Sequence, residues 1–295
     1  AKMEEYTETH VDFQWQANDT YGEKFGVVLM DKANMPMILT APSANIEGSV
    51  IEAARKNAFW DLTPFLEDEE AYPNLSQIRD EVKDGLTVDG KLIGLPRSRV
   101  IGRNGMVYRT DWAEKVGITE EPTTVDEVYD MLYKFTNDDP DGNGKDDTWG
   151  MEMCKYTGPI DIIQTWFGAG NGWVEQDGKL VPVHQTEEYM EAVNWMKKIY
   201  DEGLIRSDWA AVDTTDWGKG IQKGEVGVFV DVLDSGKRAW DYYEDNNIAS
   251  VVNPDETATI TYVGPVAKDA NSERRTMATS GIAGVFLITK DGAKT

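Results

Sequence analysis

Hydrophobic and polar positions repeat along this chain with two periods. Alternating or short continuous apolar runs predict strands at residues 10–16, 35–39, 262–266 and 282–288. Residues 106–112 are expected to form a strand that runs into a short helix, and residues 224–230 a helix-to-strand turn and a buried strand. Apolar positions at helical spacing predict helices at residues 21–31, 46–57, 124–135 and 186–202. Helices that alternate with strands in this way are typical of α/β layers, and we expect a mainly parallel sheet.

Local signals place several ends of these elements. Asp89-Gly90 predicts a type I′ turn in a hairpin over residues 88–96, and Pro96 is expected to end its second strand. Thr124 and Glu127 have the spacing of a capping box at a helix start. Gly203 follows the helix predicted at 186–202, where a left-handed residue commonly ends a helix.

Composition limits the classes of partner. The 295 residues suffice for two domains, and 29 Lys and Arg against 53 Asp and Glu give a formal charge of −24. This charge repels phosphate backbones and anionic lipid, so nucleic acid and membrane surfaces are not expected partners. Ten Trp and twelve Tyr favour either extensive packing or flat apolar ligands such as sugar rings.

Cysteine and histidine give little support for catalysis. Cys154 is the single cysteine, which excludes an internal disulfide and is more typical of a core position. His10 and His184 lie far apart in sequence, so a histidine-based catalytic pair or zinc site has no support. No apolar run approaches the ~20 residues that span a bilayer. The chain starts in charged helical sequence and ends after an apolar strand, so we expect it to be truncated at both ends.

Several short motifs follow one another in a specific order. They are GKLIGLP at 90–96, VYRTDWAEKVG at 107–117, EPTTVDE at 121–127, DPDGNGKDD at 139–147, KGEVGV at 223–228 and SGI at 280–282. This order resembles the carbohydrate-type extracellular solute-binding proteins of bacterial ABC importers, the family of maltose-binding protein. The DPDGNGKDD segment is similar to the subgroup of alginate-oligosaccharide binders and Gram-positive lipoproteins.

The resemblance implies a fold, partners and a location. The expected fold is the two-lobe α/β fold of type II periplasmic binding proteins, with residues 1–108 and 262–295 in an N-terminal lobe and 109–261 in a C-terminal lobe. An oligosaccharide would bind in the cleft as the hinge closes, in a monomer that delivers it to the membrane permease subunits. The expected location is extracellular, either as a lipid-anchored lipoprotein or in the periplasm. Family chains carry a further strand before this start and helices beyond this end.

The DPDGNGKDD segment alternates oxygen-bearing side chains with glycines. If it binds calcium, the ligands at alternate positions are Asp139, Asp141, Asn143, the Lys145 carbonyl and Asp147. The EF-hand pattern has Glu at position twelve, where this chain has Gly150, and related solute-binding proteins often have Glu where this chain has Thr148. We expect a structural Ca²⁺ site in the C-terminal lobe, and the alternative is a metal-free turn.

Matching family positions gives the candidate ligand-binding residues, because sugar sites combine aromatic faces with polar groups that bind hydroxyls. In the N-terminal lobe and its returning segment they are Ser43, Asn45, Glu47, Arg97, Arg99 and Ser280. In the C-terminal lobe they are Asp161, Gln164, Trp166, Trp217, Asp231 and Asp234. Each has a plainer alternative: Asp231 as a helix cap, Trp166 as core, Glu47 as solvated surface.

Arg97, Arg99 and Arg103 form a basic cluster in an otherwise acidic chain. Guanidinium groups bind carboxylates in a forked geometry, so one hypothesis is an anionic saccharide such as a uronic-acid oligomer. The alternative is ion pairing with nearby Asp and Glu. For the whole chain the main prediction is a transport receptor without catalytic activity. A glycoside-active enzyme and a calcium-dependent carbohydrate adhesion module are the alternatives.

Overall fold

A computed structural model describes residues 2–17, 20–41 and 47–292 of the chain. The chain divides into two compact units, which are residues 1–101 together with 279–295, and residues 102–278. We call them the first unit and the second unit. Each has its own sheet and its own hydrophobic core.

Helices and strands are spread over both units. The helices are α1 Lys2–Thr7, α2 Tyr21–Met30, α3 Gly48–Arg55, α4 Thr63–Glu67, α5 Asp80–Asp84, α6 Thr110–Lys115, α7 Val125–Asn137, α8 Gly158–Trp166, α9 Glu187–Asp201, α10 Lys219–Lys223 and α11 Asp234–Asn246. The strands are β1 Ile38–Ala41, β2 Thr87–Val88, β3 Lys91–Leu92, β4 Leu95–Ser98, β5 Asn104–Arg109, β6 Trp149–Glu152, β7 Trp173–Gln176, β8 Lys179–Pro182, β9 Val226–Val232, β10 Ile260–Val263 and β11 Ile282–Ile288. None of the helices in the described part of the chain combines the length and the apolarity needed to cross a membrane.

The first unit is built on a three-stranded sheet in the order β1-β11-β4. Both pairings are antiparallel, with Leu39 opposite Leu287 and Pro96 opposite Val285. Leu39, Val285 and Leu287 are buried in a core to which Phe25 of α2 and Val50 of α3 also contribute. The central strand therefore comes from the C-terminal segment of the chain.

The hairpin predicted in the first unit is confirmed. Strands β2 and β3 pair antiparallel across Asp89 and Gly90, whose φ angles of 48° and 78° suit a type I′ turn. Pro96 was expected to end a strand, but it lies within β4. Proline is tolerated there because β4 is an edge strand of the three-stranded sheet.

The second unit contains a four-stranded sheet in the order β10-β5-β9-β6. Strand β5 is buried along its whole length and pairs antiparallel with both β10 and β9, while β6 pairs parallel with β9. The prediction of a mainly parallel sheet is therefore wrong. The order of helices and strands along a chain does not specify which neighbour a strand takes, and here β5 lies between two antiparallel partners.

The two longest predicted helices of the second unit are confirmed. At the start of α7, the Glu127 N–H donates to Thr124 Oγ1 at 3.3 Å, and the Thr124 N–H donates to Glu127 Oε2 at 3.1 Å. Thr186 caps α9 in a similar way, and Gly203 follows that helix with a φ of 74°. Side-chain capping fixes these ends because it satisfies backbone N–H groups that have no partner within the helix.

The strand predicted at residues 10–16 is wrong, since residues 11–17 form no regular element. Phe13 and Trp15 alternate with polar residues but are exposed and stack on each other, with ring centroids 5.3 Å apart. Alternation predicts a strand only if a neighbouring strand is available to pair with it.

The boundaries of the two units differ from those predicted for the two lobes. The prediction placed residues up to 108 and from 262 onward in the N-terminal lobe, whereas residues 102–278 form the second unit. The reason is the pairing of β5 with β9 and β10. These pairings hold residues 104–109 and 260–263 in one sheet.

Candidate functional site

The second unit contains a cavity of about 230 Å³ beside strand β9. Two residues that the sequence singled out, Trp217 and Asp231, both line it. Phe229, Ser235 and Arg238 also contribute to its wall. We call this space the β9 cavity. It brings an aromatic face, a carboxylate and a guanidinium group together, which is the combination expected for a sugar site.

Two aromatic rings, Trp217 and Phe229, line the β9 cavity, and a third ring packs behind them. Trp217 lies over Phe229 with ring centroids 4.7 Å apart, and Tyr156 packs edge-on against Trp217 at 5.6 Å. Half of the surface of Tyr156 is exposed. The prediction missed Tyr156. The one related feature of the sequence is Gly158, two residues later. In the structure a Cβ at that position would lie 2.2 Å from the Tyr156 ring, so the ring needs a glycine there.

The loop that carries Trp217 is anchored to the segment before Tyr156. The Lys155 N–H donates to the Val212 carbonyl at 3.1 Å, and Lys155 Nζ lies 2.6 Å from Asp213 Oδ2. The hydrogen bond from Lys155, with further bonds from Thr215, holds the pKa of Asp213 well below its ordinary value. These contacts keep Trp217 and Tyr156 in one fixed arrangement.

Asp231 supplies the polar side of the β9 cavity. It lies near the end of β9, and Ser235 Oγ donates to its Oδ2 at 3.0 Å. Burial raises the pKa of Asp231, although the hydrogen bonds and Arg238 act against this shift. A half-buried carboxylate with few donors is poorly solvated, so a ligand hydroxyl that donates to it is favoured.

Asp234, another predicted ligand residue, is already bound by two arginines. Arg238 Nη1 donates to it at 2.7 Å, and Arg103 forms a second short ion pair with it. Burial acts to raise the pKa of Asp234, but the bonds from Arg103 and Arg238 hold it below its ordinary value. For Arg103 the structure agrees with local ion pairing, the alternative to anion binding.

The remaining candidates of the second unit lie on α8. Asp161 is exposed in the first turn of this helix, and partial burial of its carboxyl raises its pKa. Gln164 and Trp166 are each only 1% exposed and lie in or against the core, where Gln164 Nε2 donates to the Gly170 carbonyl at 3.0 Å. A ligand role for Gln164 does not fit this burial, and the little surface of Trp166 that is left faces a separate cavity.

Trp166 and its neighbours form the floor of a further cavity of about 340 Å³ in the second unit. The cations around it are neutralised within the protein. Lys268 Nζ lies 2.7 Å from Glu191, and Arg275 Nη2 lies 2.8 Å from Glu273. We assign no ligand to this cavity.

In the first unit, three predicted residues lie together where β4 pairs with the start of β11. Arg97 Nη2 donates to the Ala283 carbonyl at 2.9 Å, and the backbone N–H of Arg99 donates to the Gly281 carbonyl at 2.8 Å. Ser280 directly precedes this segment. Both arginine side chains are exposed. Glu47 is exposed before α3, and Ser43 and Asn45 lie outside the described residues.

Arg97 is positioned by a glycine on the neighbouring strand. A Cβ on Gly284 would lie only 3.1 Å from the Ala41 carbonyl and would reach van der Waals contact with Arg97 Nε at 3.5 Å. In the described part of the chain, no carboxylate lies within ion-pair distance of Arg97 or Arg99. Arg97 therefore keeps its charge and donors available on an exposed surface.

The DPDGNGKDD segment forms an exposed loop between α7 and β6. Asn143 Nδ2 donates to Asp141 Oδ2 at 2.6 Å and to Asp147 Oδ1 at 3.0 Å, and the Gly144 N–H donates to both Asp139 oxygens at 3.1 and 3.2 Å. Burial and the nearby Asp139 and Asp147 carboxylates raise the pKa of Asp141.

The donor set of this loop fits Ca²⁺, which prefers several carboxylate and carbonyl oxygens. Gly142 and Gly144 have φ angles of 71° and 78°, so both positions need glycine. Thr148 is buried outside the loop surface, where its hydroxyl donates to the Phe135 carbonyl at 2.9 Å. Across the described residues, no three His, Cys, Asp or Glu side chains are already close enough to enclose a metal ion. Calcium would have to draw these carboxylates together.

Residues 1–285 match the family described as bacterial extracellular solute-binding protein. The chain belongs to this family. Two relatives come from Bacillus subtilis strain 168. Lipoprotein LipO is 37% identical over 99% of this chain, and the polygalacturonan/rhamnogalacturonan-binding protein YtcQ is 30% identical over the whole of it. The alignment covers 56% of the length of each of these two relatives.

A solved structure of the solute-binding protein FusA from Streptococcus pneumoniae, in complex with kestose, has a similar fold. It has a TM-score of 0.70 at 20% identity and covers 99% of this chain and 60% of FusA. An EF-hand mutant of FusA with fructo-nystose gives a TM-score of 0.68 at 20% identity and covers 99% of this chain and 59% of that one. This structural similarity confirms the predicted fold class of this chain, the α/β fold of type II solute-binding proteins.

Proposed function

We propose that this chain is the substrate-binding component of an ABC-type importer of oligosaccharides, and that the β9 cavity contacts a sugar ring. One observation carries the proposal. The rings of Trp217 and Phe229 line the same cavity as the poorly solvated carboxylate of Asp231, and the half-exposed ring of Tyr156 packs against Trp217. Membership of an extracellular solute-binding family supports the proposal, as do the ligands named for YtcQ and FusA.

The chemistry of the cavity suits a sugar. The C–H face of a ring packs on an aromatic side chain, and Asp231 accepts hydrogen bonds from hydroxyls on the ring edge. Arg238 Nη2 donates to Ser235 Oγ at 2.6 Å, and Ser235 donates in turn to Asp231. This chain of bonds holds the Asp231 carboxylate in one orientation before the ligand arrives.

We propose binding rather than cleavage of the sugar. Glycoside hydrolysis needs a carboxylic acid that gives up a proton, together with a second free carboxylate. In the β9 cavity Asp231 is the carboxylate with a raised pKa, while its neighbour Asp234 is held by two arginines. Incubation with oligosaccharides should give binding without release of products, and release of shorter products would favour the enzyme instead.

Isothermal titration with kestose and with galacturonan oligomers tests the binding proposal. Trp217→Ala should weaken binding of the preferred sugar by about tenfold or more, or about 1.4 kcal/mol. Trp173→Ala is the matched control, because Trp173 is 61% exposed on the β7–β8 hairpin of the same unit and should leave affinity unchanged. Equal affinities for the two variants, both folded by circular dichroism, would contradict the role of the β9 cavity.

We further propose that the sugar is anionic and that Arg97 and Arg99 bind its carboxylates. Both side chains are exposed, and neither has an ion-pair partner in the described part of the chain. Polygalacturonan, named for the relative YtcQ, carries a carboxylate on each sugar unit. Arg97→Ala and Arg99→Ala should each weaken binding of acidic oligomers while neutral ones bind as before. Arg79→Ala is the control, because Arg79 is paired with Glu81. Unchanged affinity for acidic oligomers would exclude this role.

We also propose that the loop from Asp139 to Asp147 binds Ca²⁺ and that the metal is structural. Bound calcium would supply positive charge that holds the carboxylates of Asp139, Asp141 and Asp147 together and stiffens the connection between α7 and β6. Titration of the folded chain should show one Ca²⁺ bound, and Asp139→Asn should weaken it while Asp255→Asn does not. If sugar affinity is lost without calcium, the adhesion-module alternative gains support.

Finally, we propose that the protein acts at the outside of the cell as a lipid-anchored monomer that meets membrane permease subunits. The name of LipO as a lipoprotein supports the anchor, and the family is extracellular. Light scattering of this chain should give one molecular mass at all concentrations tested. A concentration-dependent increase toward twice that mass would contradict the monomer.

A further inference from the structure

The chain contains three Asn-Gly pairs, which begin at Asn104, Asn143 and Asn171. In such a pair the backbone nitrogen of the glycine can attack the side-chain amide of the asparagine, because glycine has no Cβ to hinder the approach. The reacting residues, asparagine and the glycine after it, are therefore the same in all three pairs. The structure gives them very different surroundings.

Both the amide of Asn143 and the Gly144 nitrogen are held by hydrogen bonds within the loop. Its Oδ1 accepts a hydrogen bond from the Lys145 N–H at 2.8 Å, so the side-chain carbonyl folds back over its own backbone beside the Gly144 nitrogen. The Gly144 N–H donates to Asp139 at 3.1 Å, so an acceptor is in place for the proton that this nitrogen must lose.

The leaving nitrogen of Asn143 is also held by acceptors. Nδ2 donates to Asp141 Oδ2 at 2.6 Å and to Asp147 Oδ1 at 3.0 Å. These bonds fix the orientation of the amide, with Oδ1 toward the following backbone and Nδ2 away from it. The loop is exposed, so water reaches it.

We propose that Asn143 is a site of spontaneous deamidation in the folded protein. A bond forms between the Gly144 nitrogen and Asn143 Cγ, and the Cγ–Nδ2 bond breaks. The proton lost by the Gly144 nitrogen passes to the leaving nitrogen, which departs as ammonia. A solvent water molecule then adds to either carbonyl of the cyclic imide and reopens it, giving aspartate or isoaspartate at position 143. No oxidant or reductant takes part.

The other two pairs lack this arrangement. Asn104 is buried in β5, where Nδ2 donates to the Met277 carbonyl at 2.9 Å. Asn171 is exposed, but its Nδ2 points to the Ala278 carbonyl at 3.5 Å, and its backbone carbonyl is bound by the Trp173 N–H at 2.9 Å. Within the described ranges, Oδ1 of Asn104 and Oδ1 of Asn171 accept no hydrogen bond from the backbone N–H groups that follow them. Exposure alone therefore does not distinguish Asn143 from Asn171.

The reaction changes the charge of the loop. Aspartate at position 143 adds a carboxylate to those of Asp139, Asp141 and Asp147, whereas isoaspartate lengthens the backbone by one carbon and displaces the residues that follow. If calcium binds this loop as proposed, it draws Asp139 and Asp141 away from Gly144 and Asn143, and the reaction slows. Only this calcium effect depends on the proposed metal site, and the assignment of Asn143 does not.

Peptide mapping by mass spectrometry tests the proposal. The folded chain is incubated near neutral pH with a calcium chelator, and each Asn-Gly peptide is followed for a mass gain of about 1 Da. Asn143 should react at least about fivefold faster than Asn171, while Asn104 stays unreacted. In urea the three rates should converge. Equal rates at Asn143 and Asn171 in the folded chain, or a faster rate at Asn171, would overturn the proposal.

Two further arms separate the site from the metal. Asn143→Gln should abolish the mass gain in that peptide and leave the Asn171 peptide unchanged, because a longer side chain closes a ring far more slowly. Added Ca²⁺ should slow the reaction at Asn143 severalfold and not at Asn171. Fast reaction at Asn143 with no effect of Ca²⁺ would keep the deamidation site and count against calcium binding.

Discussion

At the scale of single residues, Asp231 combines two opposing properties. Its carboxylate has few donors in the unliganded cavity, and burial raises its pKa above the ordinary 3.8. The same lack of solvation that favours a sugar hydroxyl as partner makes the empty site less stable. If Asp231 binds a sugar as proposed, function and stability conflict at this position.

Asp231→Asn should stabilise the protein at neutral pH. A raised pKa in the folded state means that ionisation costs more there than in the unfolded chain. Below about pH 3.8 the carboxyl is protonated in both the folded and the unfolded chain, so this cost is absent. Above the folded-state pKa the carboxyl is ionised in both states, and the full cost applies. We expect the melting temperature of the variant to rise by about 2–4 °C at neutral pH. The gain should vanish as the pH falls toward 3.8.

Melting curves by circular dichroism across this pH range provide the measurement. Asp255→Asn is the control, because Asp255 is exposed in a turn and should change little at any pH. A gain for Asp231→Asn that is larger in acid than at neutral pH would contradict the argument.

At the scale of elements, the entry to α8 positions the aromatic side of the β9 cavity. Tyr156 packs over Gly158 at the first position of the helix and against the edge of Trp217. The ring has this place only because Gly158 lacks a side chain. The absence of a side chain at the first position of α8 thus determines where the Tyr156 ring lies in the proposed binding surface.

Gly158→Ala should displace Tyr156 and weaken sugar binding by about tenfold, or about 1.4 kcal/mol, with the fold retained. The reason is that the new Cβ would lie 2.2–2.6 Å from atoms of the Tyr156 ring, which must move away. Titration calorimetry gives the affinity, and near-UV circular dichroism reports the ring. Gly264→Ala is the control, since a Cβ there meets nothing within 4 Å. Unchanged affinity together with an unchanged near-UV spectrum would show that the alanine Cβ does not displace the Tyr156 ring, which would contradict the prediction.

Elements with local signals could be predicted from sequence, and elements that depend on distant partners could not. Asp89-Gly90 determines the hairpin and Thr124 with Glu127 the start of α7, because each signal lies within a few residues. Strand direction depends on neighbours far along the chain, so the predicted parallel sheet is wrong. Residues 10–16 alternate as a strand does but pair with no strand among residues 2–17, 20–41 and 47–292.

The candidate site follows the same division. Trp217 and Asp231 were predicted, and they line the same cavity. Tyr156 was missed because its place depends on contact with Trp217, which lies far away in sequence. Gln164 and Trp166 lie on the same helix as Asp161, yet they turn into the core, and their burial follows from the packing of α8 against α9.

At the scale of the whole molecule, the two units differ in how the chain builds them. The second unit is one continuous stretch, residues 102–278, with a complete four-stranded sheet. The first unit needs residues 279–295 in addition to 1–101, because β11 is the central strand of its sheet. The units should therefore differ in their ability to fold alone.

Residues 102–278 expressed alone should fold and unfold cooperatively, since their core and sheet are complete within that stretch. Residues 1–101 alone should not, because β1 and β4 lose the strand that joins them. Thermal melts by circular dichroism and dispersion of amide NMR signals distinguish the two cases. A cooperative transition in the fragment 1–101, or none in 102–278, would contradict this account.

The central position of β11 also affects how the protein is made. A ribosome releases the amino-terminal residues first. The first 101 residues must therefore wait, with β1 and β4 unjoined, while 102–278 are translated and can already fold. The first unit is thus joined only after the residues of the second unit have been made, and a chaperone that binds newly made protein would meet β1 and β4 in that interval.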